Sequence, residues 1–389
     1  MQNVSIIGVG RTVVGEHWEL SLRDLALEAV QNAMRDAGIG PNDVDTLIIG
    51  NALSGSFSHQ GHLGPLLADY VGLRGIEAFT VEGADASGGL AVRQGALMVA
   101  SGAARTVVVL GIEKVTDVVG SARNAALAVT TDADFEAANG ATPIAMAALL
   151  MRRYMHTYGL ELKNFEGFSI NAHANGAKNP GAMFRNLIKA GRFAGAPVVA
   201  DPVNLFDGAP EADGAAALVI TTTDHAMDRV PVPIQIIASA AATDTLTLAQ
   251  RPDLLHLSAV NIAAGRAFNQ AGRRPQEVNI LELHDAYTVL SALQLEAVGF
   301  AEAGQGWALA GDNKIGLNGS LPISTFGGLK ARGNPLGATG VYQVAEVTLQ
   351  LRGQAGDNQV ANPRLGMALN LGGLGSTAVV HLLEQVHNH

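Results

Sequence analysis

The stretch FTVEGADASGGLA, Phe79–Ala91, changes character at Gly83. Ala78–Glu82 reads as a strand, and Ser87–Ser101 carries helical spacing. A strand that turns through glycine straight into a helix is the building unit of an α/β sheet. Glycine permits the tight bend and a close backbone approach. Free N–H groups at the helix start cradle an anion or an oxyanion. A side chain on this turn, Asp85, points into a site beyond the strand ends. Asp85 also reads as a plain helix cap. Ser87 follows it, but the G-x-S-x-G pattern of a hydrolase elbow is not met.

Outward from this turn, Val4–Gly8, Asp45–Gly50 and Thr106–Gly111 read as short buried strands. Leu22–Ala37, ending at Gly38, and Leu63–Val71 read as helices. The alternation implies a mostly parallel sheet with right-handed crossovers. From Thr116 to about Val203 the pattern changes. Helical stretches such as Thr142–Tyr158 are joined by polar loops, including HANGAKNP (His173–Pro180), as in an inserted subdomain. Gly214–Thr221 and Pro233–Ala238 return to strand character. The second half then repeats the first. VDTLIIGN (Val44–Asn51) has a counterpart in VNILELHD (Val278–Asp285), and TVVVLGIE (Thr106–Glu113) has one in MALNLGG (Met367–Gly373). The strand, glycine turn and helix of Phe79–Gly102 recur at Ser324–Gly353. Two similar α/β halves packed face to face follow, with a site between them.

Composition narrows the function. The 389 residues are 48% hydrophobic and 15% charged, which fits a compact enzyme and argues against disorder. A net charge of −10 argues against nucleic acid as a partner. No apolar run reaches the roughly 18–20 residues of a membrane span. The opening MQNVSIIGVG lacks a basic leader, so the expected location is the cytoplasm. Cysteine is absent, which removes disulfides, thiolate metal sites and every thiol nucleophile.

Two further motifs carry polar groups. LELHDAYTVL (Leu281–Leu290) ends a buried strand with His284, Asp285 and Tyr287, good site positions in an α/β fold. GGLKARGNPLGATGVYQ (Gly327–Gln343) brings Asn334 and backbone amides close to a ligand. It lacks the phosphate-loop pattern, and Gly8-Val-Gly10 lacks the third glycine of a dinucleotide fingerprint. His59 and His62, in SHQGH, have metal-ligand spacing but no nearby carboxylate. The terminal HNH reads as a solvated tail.

These segments, in this order, resemble the thiolase superfamily, in the branch of archaeal-type acetoacetyl-CoA thiolases and the thiolase domain of sterol carrier protein. The resemblance rests on GEHWELSLRDLA, VASGAARTVVVLGIEKVTD, Asn179-Pro180, DGAAA (Asp213–Ala217), HDAY, GNPLGATG and NLGGLG. It implies two duplicated halves in five αβαβα layers. The N-terminal half would span residues 1–230, with a loop domain at about 116–203 that helps hold coenzyme A, and the C-terminal half 231–389. It also implies a homodimer, with a small OB-fold/zinc-ribbon protein as a possible second partner.

The family's chemistry uses a thiolate on the first glycine turn, an activating His, a second acid/base and oxyanion holes. This chain departs at each reactive position. Asp85 stands at the nucleophile position and Asn334 at that of the activating His. Ala286 and Asn370 stand where other branches carry cysteine. What survives is His284, matching the enolate-binding His, with the backbone amides of Asp85 and Gly372. Superfamily members without the Cys act as retro-aldolases on β-hydroxyacyl-CoA. That implies an acyl-CoA thioester as substrate, no covalently bound cofactor, Asp85, Tyr287 or Tyr342 as base, and His284 holding the enolate. A catalytically silent paralogue that binds acyl-CoA or serves as a complex subunit is the other reading. Hydrolysis and decarboxylation stay open behind these two.

Overall fold

The computed structural model describes residues 2–311 and 313–386. The terminal HNH lies outside the described residues. Eleven strands are described: β1 (Val4–Arg11), β2 (Thr46–Gly50), β3 (Glu77–Val81), β4 (Thr106–Glu113), β5 (Val198–Ala200), β6 (Val203–Asn204), β7 (Gly214–Thr222), β8 (Ile234–Thr243), β9 (Ile280–Glu282), β10 (Leu365–Gly372) and β11 (Thr377–Gln385). β5 and β6 pair by themselves; the other nine run in the order β3-β2-β4-β7-β1-β8-β11-β10-β9.

That order is close to a mirror about its centre. β1 and β8 meet antiparallel over only Ser5↔Gln235 and Ile6↔Ile234. Moving outward, β7 matches β11, β4 matches β10 and β2 matches β9. The partner of β3 is reduced to a single parallel bridge, Leu281↔Ile323. The second unit, Ser324–Gly353, therefore begins without the strand its sequence suggested. It passes instead through a π-helical turn, Gly328–Arg332, before the helix Thr339–Leu351.

The sheet is mixed, which corrects the mostly parallel reading. β2 lies parallel to β3 and β4, and β9 to β10. β1, β7, β8 and β11 run antiparallel to their neighbours. Four residues, Gly373–Ser376, separate β10 from β11; so short a link allows only an antiparallel return.

Five layers result. Helix Leu22–Ala37 covers β1 and β7, and helix Ser258–Ala271 covers β8 and β11. Helices Ser87–Ser101 and Thr339–Leu351 lie between the two halves and touch each other. The second of these is buried nearly all round, polar Gln343, Glu346 and Thr348 included. Glycine makes the crossing possible. A Cβ on Gly340 would sit 2.2 Å from the Gly89 nitrogen, and one on Gly88 would sit 2.7 Å from the Gly337 carbonyl oxygen.

One segment expected to be a polar loop is helical. His173–Gly176 form the last turn of helix Glu166–Gly176, not a loop. Their polarity serves buried partners: Asn175 Nδ2 donates to the Ser324 carbonyl at 3.0 Å, and His173 Nδ1 meets the Asn186 carbonyl at 3.0 Å. An apolar stripe could not reveal a helix whose buried face is polar. No helix among the described residues is long and apolar enough to cross a membrane.

Candidate active site

The two glycine turns face one small chamber of about 70 Å³. Asp85, Tyr287, Asn334, Glu211 and Gly373 are among its lining residues. Asp85 sits on a 3-10 turn, Ala84–Ala86, that runs into helix Ser87–Ser101. Ala84 before it is left-handed at φ 51°, a costly conformation for a residue with a side chain.

The helix-cap reading of Asp85 does not hold, because the helix has no side-chain cap. Its carboxylate turns inward instead, with Oδ2 3.7 Å from His284 Nε2. Burial, and then the charge of Glu211, push its carboxyl up to about 7. Burial thus outweighs the helix start, and Asp85 carries a proton through much of the neutral range. Ser87 is fully buried and locked locally: its hydroxyl donates to the Ala84 carbonyl and accepts from Gly83 N–H. It is not placed as a nucleophile.

His284 follows β9 and has no solvent exposure. Gln294 clamps its backbone, accepting from His284 N–H at 3.0 Å and donating to its carbonyl at 2.8 Å. Burial, then Arg332, depress the imidazole to about 3, so it is neutral. Asn370 selects the tautomer. Its Oδ1 accepts from Gly89 N–H at 3.2 Å, so its Nδ2 faces His284 Nδ1 at 3.3 Å. An amide N–H₂ only donates, so Nδ1 accepts and the ring proton sits on Nε2. That N–H faces Asp85 and has no hydrogen-bond partner among the described residues.

The remaining predicted residues divide. Asn334 lines the chamber, with Oδ1 accepting from the Thr339 hydroxyl at 2.7 Å. Tyr287 lines it too; burial and the charges of Glu211 and Asp85 raise its hydroxyl well above the usual phenol range. It is a donor at neutral pH and a poor base. Tyr342 is elsewhere. Its hydroxyl meets Thr12 Oγ1 at 3.0 Å, and its ring stacks under Arg332, beside a separate cavity with Arg11 and Asn358. Gly372 is packed under the first turn, where a Cβ would lie 2.5 Å from the Gly83 carbonyl; Gly373, Leu374 and Ser376 line the chamber in its place. His59 and His62 gain no third ligand: no group of three metal-binding side chains forms among the described residues.

Two carboxylates escaped the sequence reading. Glu113, at the end of β4, is fully buried. It accepts from Ala52 N–H at 2.9 Å, Leu53 N–H at 3.1 Å, Gly337 N–H at 3.2 Å and Asn51 Nδ2 at 2.9 Å. It ties the loop after β2 to the second glycine turn. Glu211 bridges backbone to backbone with Asn334 and pairs with Arg123 at 3.2 Å. A charged residue at a strand boundary, in a chain with so few charges, was the available signal for both.

The profile of the thiolase N-terminal domain matches residues 4–199, and that of the thiolase C-terminal domain-like family matches 240–385. An acetyl-CoA acetyltransferase of Methanothermobacter thermautotrophicus is 40% identical over 99% of this chain and 100% of its own length. The chain belongs to the thiolase superfamily. Sterol carrier protein 2 of Oryctolagus cuniculus is 29% identical over 99% of this chain and 72% of its own length. Among solved structures, the Ltp2-ChsH2(DUF35) aldolase shares the fold at a TM-score of 0.85 and 24% identity, over 100% of this chain and 99% of that one. The chain itself has no cysteine, and a carboxyl group stands on its first glycine turn.

Proposed function

We propose that this protein acts on acyl-CoA thioesters by breaking or making the bond between Cα and Cβ, without an acyl-enzyme. Retro-aldol cleavage of a β-hydroxyacyl-CoA is the reaction the site supports best. The observation that carries it is the pairing of Asp85, protonated near neutral pH, with the neutral Nε2–H of His284 at 3.7 Å. Cleavage needs a base for the hydroxyl, a donor for the enolate oxygen and an acid for Cα. His284 donates to the enolate oxygen as charge develops there, and Asp85 supplies the Cα proton. A carboxylate is a poor nucleophile toward a thioester, and an acyl-aspartate would be an anhydride, so thiolysis is not the reaction.

A wider cavity of about 850 Å³ meets the chamber at Ala209 and Glu211. Phe184, Leu187 and Phe206 give it apolar walls, and Lys189 and Arg192 give it cations. Those walls suit an acyl-CoA arm. The aldolase of the same fold is a complex with a DUF35 protein, and a small second protein of that kind is the partner we assign here, beside a second copy of the chain. The silent-paralogue reading draws on one fact: His284 Nε2 is sealed from solvent, so a ligand oxygen reaches it only when the surrounding groups shift.

The test is release of a ketone or aldehyde plus the shortened acyl-CoA from a panel of β-hydroxyacyl-CoA substrates, with no added coenzyme A. Release supports the retro-aldol reading. Tight binding without release from the whole panel, with the small partner present, supports the silent one.

A further inference from the structure

The proposed cleavage lacks an assigned base. Of the chamber's groups, Asp85 enters with its proton, Tyr287 holds its own, and Asn334 has none to exchange. Two other carboxylates line the space, Glu136 and Glu211. Glu136 is fully engaged: Oε2 accepts from Asp132 N–H at 3.1 Å and Oε1 from Leu248 N–H at 2.7 Å. Glu211 is not. Arg123 Nη2 pairs with Oε2 at 3.2 Å and donates to the Glu211 carbonyl at 3.1 Å. Oε1 has no hydrogen-bond partner among the described residues.

The backbone holds this carboxylate in place from both sides. Asn334 N–H donates to the Pro210 carbonyl at 2.8 Å, and Ala212 N–H donates to the Asn334 carbonyl at 3.0 Å. Glu211 is thereby bridged to Asn334. Residues opposed across such a bridge carry their side chains on one face, with Cβ atoms roughly 5 Å apart. Two residues on, Asp213 anchors the segment, accepting from Val115 N–H at 2.7 Å and His17 N–H at 3.0 Å. Glu211 lines the same chamber as Asp85 and Tyr287.

We infer that Glu211 is the catalytic base of this site, taking the substrate β-hydroxyl proton on Oε1, with Arg123 orienting it through Oε2. The inference rests on the retro-aldol reading. As the O–H proton passes to Glu211, the oxygen lone pair forms the C=O bond and the Cα–Cβ bond breaks. Its electron pair becomes the thioester enolate, held by His284 Nε2–H. Asp85 gives its proton to Cα. Proton transfer from Glu211 to Asp85 then restores both groups, so no external oxidant or reductant enters.

Glu211→Gln keeps the shape and removes the base. We expect kcat to fall on the order of 10²–10⁴-fold, with KM little changed and the acid limb of the pH–rate profile gone. Asp85→Asn should remove the alkaline limb instead. Wild type that releases no ketone from any substrate sinks the retro-aldol reading and this role together. Active wild type, with Glu211→Gln keeping kcat within about threefold or keeping its acid limb, overturns this role alone. Should Glu211→Gln fail to fold, Arg123→Gln carries the test, because it frees the carboxylate without removing it. A fall in kcat of about tenfold is expected there, and an unchanged kcat overturns the inference.

Discussion

The first and second glycine turns are related by the near mirror of the sheet, yet they are filled to opposite ends. Each holds a non-glycine residue in left-handed backbone, Ala84 at φ 51° and Leu336 at φ 35°. On the first turn that residue sits beside a carboxyl group that lies 3.7 Å from His284 Nε2, beyond hydrogen-bond reach. On the second, the polar residue just ahead of it, Asn334, is tied to Thr339, and the whole turn is buried. Strain on the first turn thus goes with an under-satisfied, titratable group, and strain on the second with a satisfied amide. In the proposed mechanism the same backbone device serves reactivity once and architecture once. Substitutions on the first side should therefore change rate and pH dependence, and those on the second should change stability.

The largest expected effect is on rate. His284→Ala removes the proposed enolate donor next to the first turn. We expect a loss on the order of 10²–10³ in kcat, with acyl-CoA affinity held, since the wider cavity is untouched. Steady-state cleavage kinetics with calorimetric binding checks this. Cleavage that survives at the wild-type rate removes His284 from the mechanism and leaves the chemistry with Asp85 and Glu211.

Glu113 tests the architectural side, because it holds the second turn through Gly337 N–H. Glu113→Ala leaves three backbone N–H groups and the Asn51 amide without their acceptor. Each unsatisfied buried donor costs about 1–3 kcal/mol, so a loss of at least about 3 kcal/mol is expected in denaturant unfolding. Glu113→Gln, which keeps one acceptor oxygen, should lose less than Glu113→Ala. Equal losses would show that the tie itself contributes nothing.

What the sequence disclosed follows the same division. The first strand–turn–helix, the helix end at Gly38 and the central helices were legible because apolar spacing and glycine mark them locally. The missing strand before Ser324 was not, since ISTFGG still carries strand-like apolar residues, and only the partner β9 decides how far it pairs. Asp85 and His284 were legible as motif positions. The proton on Asp85 was not, because it depends on burial and on Glu211, 126 positions away. The tautomer of His284 needed Asn370 and Gly89, which meet only in the folded chain. Tyr342 looked like a site residue because it follows the glycine turn. Its position on the helix instead points its hydroxyl at Thr12 of the opposite half.

The pH dependence of stability comes next in size. Asp85 has its folded pKa raised from 3.8 to about 7. Between those values the native state binds a proton that the unfolded chain does not. Its contribution to stability is therefore fully present below about pH 4 and is lost as pH rises through about 7. Asp85→Asn is neutral at every pH and avoids the buried charge. At pH 8 the variant should be more stable than wild type by about 1 kcal/mol or more, a rise of roughly 2 °C in Tm or more. At pH 5 the gap should be smaller, and it should close only below about pH 4. Melting curves at the two pH values decide it. A gap that is the same at both, or larger at pH 5, would mean that Asp85 is not protonated in the native state.

The smallest effect separates the two turns by their strain alone. Ala84→Gly relieves a left-handed alanine, worth roughly 1–2 kcal/mol, and adds the chain entropy of glycine, roughly 0.5–1 kcal/mol in the other direction. A net gain of about 0.5 kcal/mol is the expected sum, and little packing is lost because alanine has only a methyl group to remove. Leu336→Gly relieves a similar backbone but deletes a side chain that is only 3% exposed. Losing that burial costs roughly 2–3 kcal/mol, which exceeds the relief. The two substitutions, alike in backbone terms, should therefore move Tm in opposite directions, up by about a degree at Ala84 and down by several at Leu336. Activity supplies the second half of the comparison. If the strain at Ala84 aims Asp85 at His284, Ala84→Gly should lower kcat even as it raises Tm, because glycine lets the turn sample conformations in which the carboxyl points away. A variant that gains stability and keeps full kcat would show that packing against His284, rather than the backbone of Ala84, holds Asp85 in place.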